Sequence, residues 1–320
     1  MRLVSLLASA TEMIAELGCL DQLVGRSHEC DYPPEILPLP LVSTVQINVD
    51  TSSNQIDAQI KQLARAKKTA EDNALKALSI YAINVDLLQI LRPDIIFTQT
   101  QCEVCAVSEQ DVARALQQLT GFQPRIVSLA PYRLSDVWDD VLRVGKALDR
   151  HEQAQELIRS YRQRLDQLAA RTAALSQGSD KPRVAVLEWL DPLMAAGNWT
   201  PELIAYAGGA AVFGEIGLHS PWITWEELQA ANPDVLVLAP CGFSLERTML
   251  DVALLQQQPA WHSLQAVRNG RVYAIDGNHY LNRSGPRLVE SAELLAHAIF
   301  SVPSSGASLY EPPPHSLRAV

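Results

Sequence analysis

One short phrase occurs twice in this chain and restricts its fold more than any other feature. Arg92-Pro93-Asp94 runs into IIFTQ, and Asn232-Pro233-Asp234 runs into VLVLA. An amphipathic stretch precedes each proline, VDLLQIL in the first case and WEELQAA in the second. Proline pushes the residue before it out of the helical region, and the apolar pattern changes from a helical period to a continuous run. Each phrase therefore predicts a helix, a break and a buried strand. Two more pairs follow the same order. RLVSL (2–6) and RVAVL (183–187) each open a half of the chain, and RIVSL (125–129) and RVYAI (271–275) are each followed by a helical pattern. Three matched strands in one order predict an α/β chain of two Rossmann-like lobes on a common plan.

The segment between the halves is helical throughout. Val137, Val141, Val144 and Leu148 form one apolar stripe, and Leu157, Ile158, Tyr161, Leu165 and Leu168 form another. The second helix, over about 151–175, would be roughly 37 Å long at about 1.5 Å per residue, a stiff spine. The expected organisation is an N-terminal α/β lobe over 1–135 with a polar helical insertion at 46–84. A spine region over 136–180, a C-terminal α/β lobe over 181–300 and a disordered Pro- and Ser-rich tail over 301–320 complete it.

The opening MRLVSLLASATEMIAELG admits two readings. Arg2, the apolar run Leu3–Ala8 and Ala8-Ser9-Ala10 outline a short export signal. The alternative is a strand at Leu3–Leu7, a turn, and a helix at about Thr11–Leu17 capped by Ser9 or Thr11 and stopped by Gly18. The brevity of the run favours the strand and helix, and with them a cytoplasmic protein, or a periplasmic one if the true start lies upstream. No apolar run approaches the ~18–20 residues that cross a bilayer, so the chain is not expected to be membrane-embedded. The net charge of -10 argues against a nucleic-acid partner, which needs a basic face. Five cysteines, an odd number, suit a reducing compartment better than a disulfide framework.

At this level the chain resembles the periplasmic-type binding proteins for cobalamin and iron siderophores, and among them the cobalamin-binding members. The resemblance is carried by RLVSLLASATEMIAELG, LVGRSHECDYPPEI, LRPDIIF, ELIAYAGG with SPWITWEEL, and NRSGPRLVE, from about Arg2 to Ile299. It implies two lobes joined by a single spine helix, with ligand in a cleft between them and no catalysis. The insertion at 46–84 and the stretches TQTQCEVCAVS and RSHECDYPP resemble a subgroup without export signals.

Ligands of open α/β sheets bind beyond the carboxyl ends of the strands. That rule selects His28, Glu29, Cys30, Asp31, Tyr32 and Pro33 after LVGRS, and Gln101, Cys102, Glu103, Val104 and Cys105 after IIFTQT. It also selects Glu188 and Trp189, Asn198 and Trp199, and Asn278, His279 and Tyr280, with Ser220-Pro221-Trp222 as a further cleft loop. A corrin needs apolar walls and partners for its peripheral amides. Tyr32, Trp189, Trp199, Trp222 and Tyr280 are the candidate walls, against the alternative that any one of them is simply core. His28, Cys30, Pro33, Cys102, Asn198, His279 and Arg283 are the further candidate contacts. Trp138 and Trp261 read as packing residues.

His28, Cys30, Cys102 and Cys105 could form a tetrahedral zinc set. Alternatively His28, His279 or a cysteine could meet the cobalt axially, or the thiols could be small buried hydrophobes. Ser108 is the expected cap of the helix SEQDVARAL. Asp86 stands seven residues before Pro93 and Glu226 seven before Pro233. In the resembling transport proteins an acidic residue at this point of each lobe docks on arginines of a permease, and Glu227 competes with Glu226 for the part. No G-x-S-x-G, HExxH or glycine-rich phosphate loop is present. The expected function is non-catalytic binding of a cobalamin-like corrinoid. The rivals are an iron-siderophore or haem binding protein of the same fold, or a Cys/His metal-dependent sensor or enzyme.

Overall fold

The opening apolar run is a buried strand. In the computed structural model, which describes residues 1–69, 80–100, 107, 109–176, 180–301 and 310–320, with backbone alone over 64–69, Leu3 and Val4 have no exposed surface. The chain divides into two compact units, one comprising Met1–Pro131 with Asp136–Ile158, the other Tyr132–Ser135 with Arg159–Val320.

The first unit contains β1 (Leu3–Ser5), α1 (Ala8–Glu16), β2 (Leu23–Arg26), β3 (Ser43–Val45), α2 (Ser53–Thr69), β4 (Tyr81–Ile83), α3 (Val85–Leu91), β5 (Ile95–Gln99), α4 (Glu109–Leu116), β6 (Arg125–Leu129) and α5 (Leu134–Ala147). A fully parallel sheet runs β2-β1-β5-β6, with Leu3 opposite Ile95 and Ile95 opposite Arg125. The strand β5 reads IIFTQ and is buried at all five positions, as a central parallel strand covered on both faces requires. The helix α1 begins at Ala8 with Leu7 as its N-cap and no side-chain cap, so neither Ser9 nor Thr11 takes that place. Both lie inside the helix, and the hydroxyl of Thr11 turns to the carbonyl of Leu7 and the sulfur of Cys30. Gly18 does end it, at φ 70°. The polar insertion is bracketed by an antiparallel ribbon of β3 on β4, with Ser43 opposite Ile83. Its residues 70–79 lie outside the described residues.

The long helix α6 (His151–Leu175) contains the division between the units, which falls after Ile158. Ala154, Ile158, Tyr161, Leu165, Leu168 and Thr172 are its buried stripe, spaced by three or four residues. In α5 the stripe of Val137, Val141 and Val144 is fully buried.

The second unit holds β7 (Arg183–Leu190), β8 (Leu193–Ala195), α7 (Thr200–Tyr206), β9 (Ala210–Ala211), α8 (Trp225–Ala231), β10 (Val235–Leu238), α9 (Leu245–Leu255), α10 (Gln265–Arg268), β11 (Val272–Ile275), α11 (Leu288–Phe300) and β12 (Leu317–Ala319). Its sheet runs β12-β11-β10-β7-β8, with β9 also on β7. The central three strands are parallel, Val184 opposite Val235 and Leu236 opposite Val272. The order β7-β10-β11 repeats β1-β5-β6.

The repeated phrase does the same physical work in each unit. Arg92 and Asn232 end their helices in the left-handed region, at φ 45° and 39°. Asp94 Oδ2 then accepts the N–H of Arg2 at 2.7 Å, and Asp234 Oδ2 accepts that of Arg183 at 2.8 Å. Each aspartate thus pins the start of the neighbouring strand, at the residue before β1 in one unit and at the first residue of β7 in the other.

The tail departs from the expectation of disorder. Residues 302–309 lie outside the described residues, but beyond them Ser316 is buried and β12 pairs antiparallel with β11 through Tyr273 opposite Ala319 and Ile275 opposite Leu317. Proline and serine content obscured a three-residue strand whose gain is the covering of an open sheet edge.

Candidate ligand-binding site

In the second unit the parallel strands β7, β10 and β11 end together. After β10 come Cys241, Gly242 and Phe243. The rings of Trp189 and Phe243 are 5.3 Å apart, and the guanidinium of Arg247 lies 4.3 Å from the Phe243 centroid, itself paired with Asp251 at 2.9 Å. Cys241 N–H donates to the carbonyl of Glu188 at 3.0 Å. The side chain of Ser220 donates to Glu188 Oε2 at 2.8 Å and accepts from Gly197 N–H at 3.0 Å. Those bonds lock the loop that carries Trp222, which is 54% exposed. Asn198 lies beside this loop at φ 51°; its N–H donates to Leu218 O at 2.7 Å. Its Oδ1 is shut off from solvent without a hydrogen-bond partner among the described residues.

Asp276, 6% exposed, organises the turn after β11. Its Oδ1 accepts the N–H groups of Asn278 at 3.0 Å and His279 at 2.9 Å, and its Oδ2 is 3.0 Å from His279 Nδ1. The turn lies hard against the chain after β10: a Cβ on Gly277 would stand 2.1 Å from Pro240 O. Arg283 Nη2 reaches Asn278 Oδ1 at 3.1 Å.

Three candidates from the sequence, the walls Trp199 and Tyr280 and the contact Arg283, are buried in this unit. Trp199 is 5% exposed, and its Nε1 donates to Leu281 O at 2.6 Å. Tyr280 is 9% exposed under the guanidinium of Arg287, and burial pushes its phenol pKa up. Arg283 is 7% exposed. An indole N–H or a guanidinium survives burial when protein acceptors meet it, and the strand-end rule does not separate such residues from true rim groups. The same rule applied to β10 would have selected Cys241–Phe243.

In the first unit the rim lies beyond β1 and β2. Cys30 is fully buried, its sulfur 3.0 Å from Thr11 Oγ1, 3.2 Å from Ser27 Oγ and 3.6 Å from Ser5 O. His28 Nδ1 is 3.1 Å from Ser43 Oγ, its Nε2 is 3.2 Å from Glu29 Oε1, and its ring lies 5.0 Å from that of Tyr81. The thiol and Nδ1 are therefore engaged by the protein, whereas Nε2, shut off from solvent, makes no hydrogen bond among the described residues. Tyr32, 42% exposed, and half-buried Pro33 remain as surface groups of this rim. Gln101–Cys105 and Ser108 lie outside the described residues. Among the described residues no group of three or more His, Cys, Asp or Glu side chains could hold a metal.

Asp86 and Glu226 are each the second residue of a seven-residue helix, α3 and α8, and both are exposed. Asn84 caps the first helix by accepting Leu87 N–H at 2.9 Å. Thr224 and Glu227 form a capping box on the second, which commits Glu227 to Thr224 N–H at 2.8 Å and leaves Glu226 as the outward carboxylate.

Two α/β units on one plan, with aromatic and polar strand-end rims and a long helix running from one into the other, define a substrate-binding protein. The chain belongs to the periplasmic binding protein family, whose family model matches residues 3–278. It is 24% identical over 299 residues to the vitamin B12-binding protein of Vibrio cholerae, covering 91% of this chain and 86% of the relative. It is 22% identical over 306 residues to an uncharacterised ABC transporter substrate-binding lipoprotein of Bacillus subtilis, covering 93% of this chain and 80% of that one. Among solved structures, a periplasmic heme binding protein from Pseudomonas aeruginosa matches with a TM-score of 0.71 at 22% identity, over 99% of this chain and 97% of its own. The periplasmic vitamin B12 binding protein of Vibrio cholerae matches with a TM-score of 0.63 at 22% identity, over 93% and 96%. No helix among the described residues is long and apolar enough to cross a membrane.

Proposed function

We propose that this protein binds a cobalamin-like corrinoid without catalysis. The observation that carries this reading is the likeness to vitamin B12-binding proteins over nine-tenths of the chain, 91% in the Vibrio cholerae case. The rims supply suitable chemistry. Trp222, Trp189 with Phe243, and Tyr32 offer flat apolar surface, and Asn198, Glu188, His279 and Arg247 offer polar groups for a ring edged with amides. Asp86 and Glu226 occupy matching helical positions, and we assign them to docking on a permease, as membership of a transport family suggests. The relatives are of periplasmic or lipoprotein type, so the cytoplasmic location expected from the sequence draws no support from them.

The test is a titration with cyanocobalamin followed by calorimetry and tryptophan fluorescence. Saturable heat and quenching are expected, and Trp222→Ala weakens binding about tenfold, equivalent to about 1.4 kcal/mol. A second reading, haem, is favoured by the likeness in fold to the periplasmic heme binding protein of Pseudomonas aeruginosa. No response to cyanocobalamin, with a Soret shift on adding haemin, would replace the first reading by the second.

A further inference from the structure

The C-terminal segment Tyr310–Val320 is fastened at three places in the second unit. The carbonyl of Tyr310 is 2.9 Å from His297 Nδ1 of α11, and His315 Nδ1 is 3.4 Å from Glu246 Oε1 of α9. The strand β12 lies along β11, ending with Val320 N–H on Val272 O at 3.0 Å. At its other end the carbonyl of Ser316 accepts the N–H of Asp276 at 3.0 Å. Ser316 is 2% exposed and is itself fixed by its hydroxyl and N–H on Pro313 O, at 2.7 and 3.2 Å.

Asp276 is thereby held on both sides. Its N–H goes to the tail, and its carboxylate collects Asn278 N–H, His279 N–H and the His279 imidazole. One backbone bond from the tail fixes the residue on which the orientation of His279 depends. We infer that the C-terminal strand is a brace for ligand binding: through Ser316 and Asp276 it sets the position of the Asn278-His279 turn at the rim. Ser316 and Arg318 are positioning residues on this account and touch no ligand. The inference rests on the corrinoid reading for its binding readout, and on the fold alone for its structural one.

The test uses the full-length chain. Arg318→Pro removes a ladder N–H opposite Ala274, whereas Arg318→Ala keeps the backbone and serves as the control. Two measurements are made: cyanocobalamin affinity, and amide exchange at Asn278 and His279 without ligand. Arg318→Pro is expected to speed exchange at both amides at least about tenfold and to weaken binding about fivefold, while Arg318→Ala stays within about twofold of the natural chain. In an Asp276→Ala background, which lacks the carboxylate hub, Arg318→Pro adds less than about twofold to the binding loss, because the two act through one element. Unchanged exchange, or a binding loss equal in both backgrounds, overturns the brace. If the natural chain binds no cyanocobalamin, the corrinoid reading fails, and amide exchange still decides the brace.

Discussion

Asp140 is a carboxyl group in the wrong medium at neutral pH. It sits on α5 at 2% exposure, paired with Arg143 and taking a backbone hydrogen bond from Ala130 just beyond β6, while its Oδ2 has no hydrogen-bond partner among the described residues. Burial raises its pKa from 3.8 to about 7; Arg143 and the Ala130 bond pull it back only in part, and Asp136 and Asp139 push it further up. In the folded state the group therefore holds its proton up to about pH 7, whereas in the unfolded chain it loses it near 3.8. A raised folded pKa means stability that is present in acid and lost as pH rises through the folded value. The loss runs at about 1.4 kcal/mol per pH unit, or about 2–3 kcal/mol between pH 5 and 7. Asp140→Asn is neutral throughout and has no such slope. Its own unsatisfied amide N–H costs about 1–3 kcal/mol at every pH, so the comparison that matters is the difference between the two pH values. Hydrogen exchange of peptides from 134–147 at pH 5 and 8, corrected for intrinsic rates, measures the opening energy of this unit by itself. The natural chain should lose about 2–3 kcal/mol more than the variant across that range. Parallel profiles for the two chains would refute the assignment of a buried, proton-holding carboxyl.

Three further outcomes are expected. Asp94→Ala and Asp234→Ala remove the same clamp from the two units, on Arg2 and Arg183, so each should cost its own unit about 0.5–1.5 kcal/mol in denaturant unfolding, with little effect on the other. Gly277→Ala must move backbone, since its Cβ would meet Pro240 O, and should cost about 1–3 kcal/mol and weaken cyanocobalamin binding through the displaced Asp276 turn. Trp199→Phe should lower the melting midpoint by stranding the carbonyl of Leu281, in contrast to Trp222→Ala, which should weaken binding with the melting midpoint unchanged.

The elements that sequence determined were those ruled by local physics. The helix over 151–175 was legible because its apolar stripe repeats every three or four residues across seven turns, and the paired phrases were legible because proline, a capping position and a continuous apolar run leave one reading each. Tertiary structure alone decided which polar and aromatic residues face solvent. Trp199 and Trp222 look alike along the chain, yet one finds a buried carbonyl for its N–H and the other does not enter the core. Cys30 and His28 have the spacing of metal ligands, yet Thr11 and Ser27 meet the Cys30 sulfur and Ser43, fifteen residues on, meets His28 Nδ1. The last strand was hidden because three residues carry no periodic signal, and its energy comes from a sheet edge assembled some forty residues earlier. Pattern reports what a segment does by itself; partnership depends on what the fold brings within hydrogen-bonding distance.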